Sequence, residues 1–224
     1  MSDAVSSRHE LKMVANGVPV FRARTWINSH GAAFSAAYPP RFVNNIYFDT
    51  ASLDCLHDHL AGLSQRRKLR CRWYGEAVVT KGYSVEIKQK SGRLGWKEIQ
   101  RIDRPLDLRT RDWSETMHFL RRQANGTFRA LLSMSMPSLI NCYRREYYVS
   151  ADGETRLTLD SDLKAYNQLF CQYPNFHSQI MPHLDAVVFE VKARGDNPDL
   201  SGIMAGFPLR AERYSKYVHA MGMV

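Results

Sequence analysis

The chain has 224 residues, of which 44% are hydrophobic and 24% charged, as in an ordinary globular protein. Lys and Arg outnumber Asp and Glu by 31 to 22, and the formal net charge of +9 favours polyanionic partners such as nucleic acid, anionic membrane or phosphate-rich molecules. No apolar run approaches ~18 residues and the N-terminal segment has no signal-peptide core, so we predict a cytoplasmic protein without a membrane-spanning segment. Its four cysteines show no metal-binding spacing and are expected to be reduced thiols.

Hydrophobic periodicity predicts the elements of the first part of the chain. In order, we expect a strand over 8–13, a helix within 18–30, a loop or helix over 32–37, a strand over 43–49 and a helix over 52–63. The pair Pro39-Pro40 is expected to end the segment before the second strand. The helix over 52–63 should be capped by Ser52 or Thr50 and should bury its leucines in the core.

The strictest alternation of the whole sequence lies in residues 66–75. Leu69, Cys71 and Trp73 fall on one side of the predicted strand, and a row of like charges falls on the other. The charged residues of that row are Lys68, Arg70 and Arg72. Same-sign charges about 6–7 Å apart repel each other, so such a row either lies in water or holds an anion.

The same patterns continue through the second part of the chain. We expect strands over 84–90 and 96–102, a helix over 112–123, a break at 136–137, strands over 141–149, 155–160 and 187–194, and a terminal helix over 211–221. No repeat, low-complexity segment or long linker interrupts these elements. The sequence therefore predicts a single domain over residues 1–224.

About seven of the predicted strands share one apolar face and one face rich in Arg and Lys. The basic residues on these faces are Arg8, Lys12, Lys68, Arg70, Arg72, Lys88, Lys90, Lys97, Arg101, Arg145, Arg156, Lys192 and Arg194. The acidic residues among them are Glu10, Glu86, Asp160 and Glu190. We predict an α+β fold, an antiparallel β-barrel with a cationic lumen whose apolar outside is covered by helices; a plain sheet with one wet face is the alternative. A cationic lumen suits a linear chain of phosphates, and the sequence contains no Walker-type glycine loop.

Eight short segments occur in one order along nearly the whole chain. They are RHELK (8–12), NNIYFDT (44–50), RRKLRCRWYG (66–75), EIKQK (86–90), YRREYY (143–148), RLTLD (156–160), FEVK (189–192) and RYSKYVHAM (213–221). Together they resemble the VTC domain (vacuolar transporter chaperone, polyphosphate polymerase), within the CYTH or triphosphate tunnel metalloenzyme superfamily. The resemblance implies a tunnel of antiparallel strands that binds ATP or another triphosphate together with inorganic polyphosphate.

The resemblance also implies roles for individual residues. The matched basic positions are Lys12, Arg70, Arg72, Lys88, Lys97, Arg145, Arg156 and Lys216. Together with the other basic residues of the charged strand faces, they give the expected site. We expect the catalytic residues to be Arg70, Arg72, Arg145, Arg156 and Lys216, and the phosphate-binding residues to be Lys12, Lys68, Lys88, Lys90, Lys97, Arg101, Lys192 and Ser215. Glu190 occupies the position at which the family binds Mn²⁺ or Mg²⁺.

The sequence leaves two residue assignments open, and it departs from the motif of the hydrolytic relatives at one position. Glu10 is either a second metal ligand or the partner of a neighbouring cation, and either Lys97 or Arg101 matches the family's basic position. The hydrolytic relatives begin with ExExK, whereas the first Glu of that motif is replaced here by Arg8. This replacement removes a potential metal ligand, adds a cation and weakens the prediction of a two-metal triphosphatase.

The predicted function is therefore that of a polyphosphate polymerase, which transfers the γ-phosphoryl group of ATP to a growing phosphate chain. One alternative is an inorganic or nucleoside triphosphatase of the same fold, which differs only in using water as the acceptor. Another is a non-catalytic module that binds polyphosphate or nucleotide, and a membrane-bound partner protein is left open. Nucleic-acid binding is disfavoured, because tyrosines on the charged faces are explained equally well by hydroxyl contacts to phosphate.

Overall fold

The computed structural model describes residues 8–92, 94–180, 186–194 and 200–222. The side chains of Arg8, His9, Arg194 and Ser201 lie outside the described part. The strands are β1 Arg8–Ala15, β2 Ser35–Asp49, β3 Gln65–Tyr74, β4 Val79–Thr80, β5 Tyr83–Ser91, β6 Leu94–Ile102, β7 Leu106–Asp107, β8 Met136–Val149, β9 Thr155–Asn167 and β10 Val187–Arg194. The helices are α1 Val20–Asn28, α2 Asp54–Leu60, α3 Trp113–Gln123, α4 Gly126–Ser133, α5 Leu200–Ala205 and α6 Lys216–Met221.

Eight of these strands form one sheet in the order β1-β10-β9-β8-β2-β3-β5-β6, and β4 pairs with β7. The registers of β1 with β10, β10 with β9, β2 with β3, β3 with β5 and β5 with β6 are all antiparallel. Residues directly opposite each other in such a register share one face of the sheet. The predicted α+β class with an antiparallel sheet is therefore confirmed.

The chain divides into two compact units. The first contains Met1–Arg41, Tyr143–Leu163 and His183–Tyr214, and the second contains Phe42–Cys142, Lys164–Pro182 and Ser215–Val224. Strands β2, β8 and β9 begin in one unit and end in the other. The prediction of a single domain stays a prediction.

In the first unit, the apolar face of the sheet is covered by α1. Ala23 and Ile27 of this helix are buried in one cluster with Met13, Leu157 and Phe189, which come from β1, β9 and β10. Helix α1 follows Pro19, as the sequence predicts, since proline is tolerated where a helix begins. The charged side chains of these three strands are therefore left on the opposite face.

In the second unit, α3 and α4 cover the apolar face of β3 and β5. Leu69, Cys71 and Trp73 are buried in one cluster with residues of both helices, including Leu120 and Leu132. The predicted alternation of the strand over 66–75 is thus confirmed. It places Lys68, Arg70 and Arg72 on the face away from the helices.

The structure corrects the prediction for the segment before residue 43. Strand β2 begins at Ser35 and runs through Pro39 and Pro40, where we expected a loop or helix ended by the prolines. Its register with β3 begins only at Val43, so the missing N–H groups of the two prolines are not needed on that side. Strand β8 likewise includes Pro137, at the predicted break.

Three further expectations need correction. Leu60 and Leu63 are 62% and 48% exposed, so only part of the leucine stripe around α2 is core. Strand β9 continues to Asn167 rather than ending at 160, and the terminal helix α6 begins at Lys216 rather than at 211. Among the described residues, no helix combines the length and apolarity that a bilayer crossing requires.

Candidate functional site

In the second unit, three cations surround one carboxylate on the charged face of the sheet. Glu86 of β5, only 4% exposed, accepts hydrogen bonds at Oε2 from Arg70 Nε at 2.8 Å and Nη2 at 2.5 Å. Lys97 Nζ lies 3.6 Å from its Oε1, and Arg72 Nη1 lies 4.0 Å from its Oε2. We call Glu86, Arg70, Arg72 and Lys97 the Glu86 cluster; its three positive charges exceed its single negative one.

The ionisation of Glu86 reflects these neighbours. Burial alone would raise its pKa, but the charges of Arg70, Arg72 and Lys97, with the hydrogen bond from Arg70, lower the pKa to about 2. The carboxylate is therefore ionised at neutral pH and fixes the direction in which the Arg70 guanidinium points.

Arg72 is positioned by a chain of two buried amides. Its Nε donates to Asn45 Oδ1 at 2.7 Å, and Asn45 Nδ2 donates to Asn141 Oδ1 at 2.7 Å. Sequence reasoning did not identify either amide as part of the site. Asn45 could have been found from its position opposite Arg72 on the charged face, whereas Asn141 is 96 residues away in the chain and carries no local signal.

Strand register also brings three lysines into one row. Lys68 of β3 lies opposite Lys88 of β5, and Lys88 lies opposite Lys97 of β6. Neighbouring strands are about 4.8 Å apart, so these side chains leave the sheet within about 10 Å of one another. We call Lys68, Lys88 and Lys97 the lysine row; its mutual repulsion would be relieved by an extended polyanion.

The remaining predicted residues of this unit lie around the lysine row. Lys90 is exposed opposite Arg66, and Arg101 is exposed opposite Ser84. Ser215 accepts a hydrogen bond from Lys68 Nζ at 2.7 Å and caps α6, in which Lys216 is the first residue. Of the two candidates on β6, Lys97 is the one that approaches Glu86 within 4.0 Å.

In the first unit, two carboxylates and two lysines alternate across β1 and β10. Glu10 lies opposite Lys192, and Lys12 lies opposite Glu190. Lys192 Nζ is 2.5 Å from Glu190 Oε1, and Lys12 Nζ is 3.1 Å from Glu10 Oε1 and 3.8 Å from Glu190 Oε2. We call these four residues the Glu190 cluster. Burial alone would raise the pKa of Glu190, but Lys192, Lys12 and Arg145 together hold it well below its usual value.

A second buried ion pair lies beside this cluster. Arg145 of β8 donates in parallel to Asp160 of β9, with Nε–Oδ1 and Nη2–Oδ2 distances of 2.6 and 2.7 Å. The guanidinium carbon is 5.2 Å from the centroid of the Tyr143 ring. Burial alone would lower the pKa of Arg145, but Asp160 raises it well above its usual value. Arg156, in contrast, is exposed on β9 opposite Lys192.

The Glu190 cluster is the part of the first unit that fits a divalent metal ion. Glu10 and Glu190 lie on either side of the Lys12 ammonium, which shows that a cation is accommodated between them. Thr158, directly opposite Glu190, has a buried hydroxyl oxygen that finds no hydrogen-bond partner among the described residues and is suited to an ordered water or ligand oxygen. Mg²⁺ is commonly held by one or two carboxylates with water and substrate phosphate completing the shell. Within the described ranges no group of three or more His, Cys, Asp or Glu side chains is placed to hold a metal ion.

The low pKa of Glu86 predicts a pH-dependent stability. Because the folded-state pKa of about 2 lies below the ordinary value of 4.5, ionised Glu86 stabilises the fold at higher pH, and this contribution is lost as pH falls from 4.5 towards 2. We expect about 3 kcal/mol less stability for Glu86→Gln than for the wild type at pH 7, with the difference shrinking below pH 4.5. Urea denaturation from pH 7 to pH 2 measures it. Glu154→Gln, in an exposed turn, is the control, and a pH-independent difference for Glu86→Gln would contradict the prediction.

The fold and these clusters define the class: an α+β protein whose antiparallel sheet carries an excess of Arg and Lys on its polar face. A putative adenylate cyclase from Vibrio parahaemolyticus has a similar fold, with a TM-score of 0.53 and 11% identity over 97% of this chain and 98% of that one. A putative adenylate cyclase from Bacillus halodurans matches with a TM-score of 0.52 and 12% identity over 94% of both chains. A putative adenylyl cyclase from Hippeastrum, described as having a dominant triphosphatase activity, matches with a TM-score of 0.45 and 14% identity over 96% of both chains.

The family follows from the sequence itself. The model of the VTC domain family matches residues 7–224, and the chain belongs to this family. The resemblance carried by the eight motifs is thereby confirmed. No curated protein matches the sequence at a significant level. Membership of the VTC domain family supports a function that involves triphosphates.

Proposed function

We propose that the protein is a polyphosphate polymerase that transfers the γ-phosphoryl group of ATP to a growing polyphosphate chain, with Mn²⁺ or Mg²⁺ as cofactor. The observation that carries the proposal is the arrangement of cations on β3, β5 and β6. The Glu86 cluster and the lysine row share one face of three neighbouring strands, and positive charge exceeds negative charge throughout. A compact anion would need fewer cations than this, whereas a chain of phosphates can contact all of them.

Each part of this face has a distinct role in the proposed reaction. The Arg70 and Arg72 guanidiniums, held by Glu86 and Asn45, are preorganised to neutralise charge on the transferring phosphoryl group. The lysine row, with Ser215 beside Lys68, binds the phosphates of the chain as mobile point charges. Lys90, Arg101 and Lys216 are proposed as further phosphate contacts around it.

In the first unit, Glu190 is proposed as the metal ligand, with Glu10 as a second. The ion would supply positive charge to phosphate oxygens during the transfer. Lys12 and Lys192 then bind phosphate oxygens next to these carboxylates. Arg145, fixed by Asp160, provides a guanidinium in a constant orientation, and exposed Arg156 extends the basic surface.

The chemistry of the acceptor agrees with the composition of these clusters. The end of a polyphosphate chain is already ionised at neutral pH and needs little help from a general base. The Glu86 and Glu190 clusters consist of cations and ion-paired carboxylates, without a histidine in either. Clusters of this composition catalyse by alignment and charge neutralisation. The resemblance to the tunnel metalloenzymes supports placing this reaction inside a basic tunnel.

Incubation of the pure protein with ATP and Mn²⁺ tests the proposal. We expect an acid-resistant phosphate chain that lengthens with time, together with ADP, and loss of both products when the metal is chelated. Lys88→Ala should weaken chain synthesis, whereas Lys81→Ala, in an exposed turn, is the matched control.

The other outcomes separate the alternatives. Release of orthophosphate without any acid-resistant chain would reject polymerisation and indicate a triphosphatase. Tight polyphosphate binding that ignores chelator and consumes no ATP would indicate a binding module. Retention on DNA that polyphosphate fails to displace would point to nucleic acid instead.

A further inference from the structure

We propose that Tyr217 is a positioning residue that sets the geometry of Lys68 and Arg70 from the C-terminal helix α6. The inference rests on the proposed function, because it concerns how the same basic face binds a phosphate chain. Tyr217 does not itself belong to the Glu86 cluster or the lysine row. Its influence passes through two separate contacts, one made by its own ring and one made by the start of its helix.

The first element of the argument is the anchor of α6. Tyr217, only 1% exposed, donates its hydroxyl hydrogen to Asp49 Oδ2 at 2.6 Å. Asp49 is fully buried and also accepts from the backbone N–H groups of Cys55 at 2.9 Å and Leu56 at 3.1 Å. Since these two N–H groups begin α2, the carboxylate is fixed to a second helix. Tyr217 is therefore tied to a rigid acceptor.

The ring of Tyr217 reaches Arg70 through Tyr47. The two tyrosine rings stack with centroids 5.0 Å apart and an interplanar angle of 26°. The Tyr47 hydroxyl accepts from Arg70 Nη1 at 3.4 Å, while Nε and Nη2 of the same guanidinium are bound to Glu86. The bonds to Glu86 hold only one edge of the guanidinium, so with Glu86 alone the group could still tilt about that edge. The hydroxyl of Tyr47 restrains that tilt only while the Tyr217 ring, itself fixed by the hydrogen bond from its hydroxyl to Asp49, holds Tyr47 in place.

The start of α6 reaches Lys68. Ser215, two residues before Tyr217, accepts from Lys68 Nζ at 2.7 Å and from Val218 N at 3.4 Å. Helix α6 has six residues, far below the length at which a helix is stable in isolation. Its position on the second unit therefore depends on side-chain anchors, of which Tyr217 is the largest that is fully buried. Loosening that anchor should release Ser215 and with it the Lys68 ammonium.

A merely structural role for Tyr217 makes a different prediction. A buried tyrosine that only stabilises the fold would change the unfolding temperature and leave the affinity of the folded protein for phosphate unchanged. A positioning role changes the affinity, and it does so only while Lys68 and Arg70 are present to be positioned. A measurement of phosphate affinity in the absence of turnover distinguishes these two cases. Such a measurement does not require that the protein be a polymerase.

The experiment compares Tyr217→Phe with Tyr83→Phe by calorimetric titration of inorganic tripolyphosphate, without ATP or metal. Tyr83 lies in the same unit and is buried, and its hydroxyl has no hydrogen-bond partner in the described part of the chain, so its replacement removes the same atom without removing a hydrogen bond. We expect about tenfold weaker binding for Tyr217→Phe, as for the loss of about 1.4 kcal/mol, and unchanged binding for Tyr83→Phe. In a Lys68→Ala, Arg70→Ala background, Tyr217→Phe should have no further effect.

The remaining outcomes are decisive. Unchanged tripolyphosphate affinity in a folded Tyr217→Phe protein, or an equal loss in the double-variant background, would overturn the inference. Should Tyr217→Phe not fold, Tyr47→Phe and Ser215→Ala decide, since they remove the oxygens that Arg70 and Lys68 contact. Weaker binding in either variant supports the role, and unchanged binding in both overturns it. Wild-type protein that binds tripolyphosphate but makes no chain would refute the polymerase proposal alone, whereas absence of binding would refute the phosphate site and this inference together.

Discussion

Replacing Glu190 with glutamine is expected to lower metal-dependent phosphoryl transfer by about 100-fold or more, while the protein stays folded. Glutamine keeps the size of the side chain and removes the negative charge to which Lys192 and Lys12 are paired at 2.5 and 3.8 Å. Without that charge the proposed metal loses its main ligand, and the two ammonium groups repel any remaining cation. Steady-state turnover over a series of Mn²⁺ concentrations measures the effect.

The controls for this variant separate two functions of Glu190. Glu154→Gln removes an exposed carboxylate from a turn of the same unit and should leave turnover unchanged. Glu10→Gln should cause a smaller loss if Glu10 is the second ligand. Metal-stimulated turnover retained in Glu190→Gln would disprove the metal assignment. Lost turnover with unchanged Mn²⁺ affinity would show that Glu190 orients the lysines instead.

Replacing Arg145 with alanine is expected to destabilise the fold by about 3–5 kcal/mol, because Asp160 would be left as a buried charge without its guanidinium. Asp160 is fully buried, and both of its oxygens accept from Arg145. Denaturation with urea, followed by circular dichroism, measures the loss. At temperatures where the variant remains folded, turnover should also fall about 100-fold, since the guanidinium is proposed to neutralise charge on phosphate.

Two further variants test the reason for the Arg145 effect. Removing both partners, in Arg145→Ala with Asp160→Ala, should cost less stability than Arg145→Ala alone, because no unpaired charge remains. Arg156→Ala on the exposed part of the same sheet should change stability by no more than about 0.5 kcal/mol. A double variant less stable than the single one would argue against the buried-charge explanation.

The sequence alone was sufficient to predict the strands in which alternation between apolar and charged residues determines the structure. Alternating residues in β1, β3, β5 and β10 predicted both the strands and the side of each strand that would be charged, because a half-buried strand must separate its two faces. The register that brings Lys68, Lys88 and Lys97 together could not be derived this way. It depends on pairing between strands, which alternation within one strand leaves undetermined.

The elements that escaped prediction depend on distant partners. The first part of β2 contains Pro39 and Pro40, which favour a break locally and are tolerated because pairing with β3 starts only at Val43. The amide of Asn141 and the hydroxyl of Tyr217 were missed for a related reason. Their partners, Asn45 and Asp49, are 96 and 168 residues away, so no short motif contains both members of either pair.

The fixed charge of the Glu86 cluster has a consequence for kinetics. Glu86 stays ionised down to about pH 2. This carboxylate therefore contributes no inflection to a pH–rate profile near neutrality. The terminal phosphate of a polyphosphate chain, in contrast, carries a second acidic proton that we expect to be lost near the value of about pH 6 known for phosphate monoesters. An inflection at that pH, in the proposed reaction, would record the ionisation of the terminal phosphate and not that of Glu86.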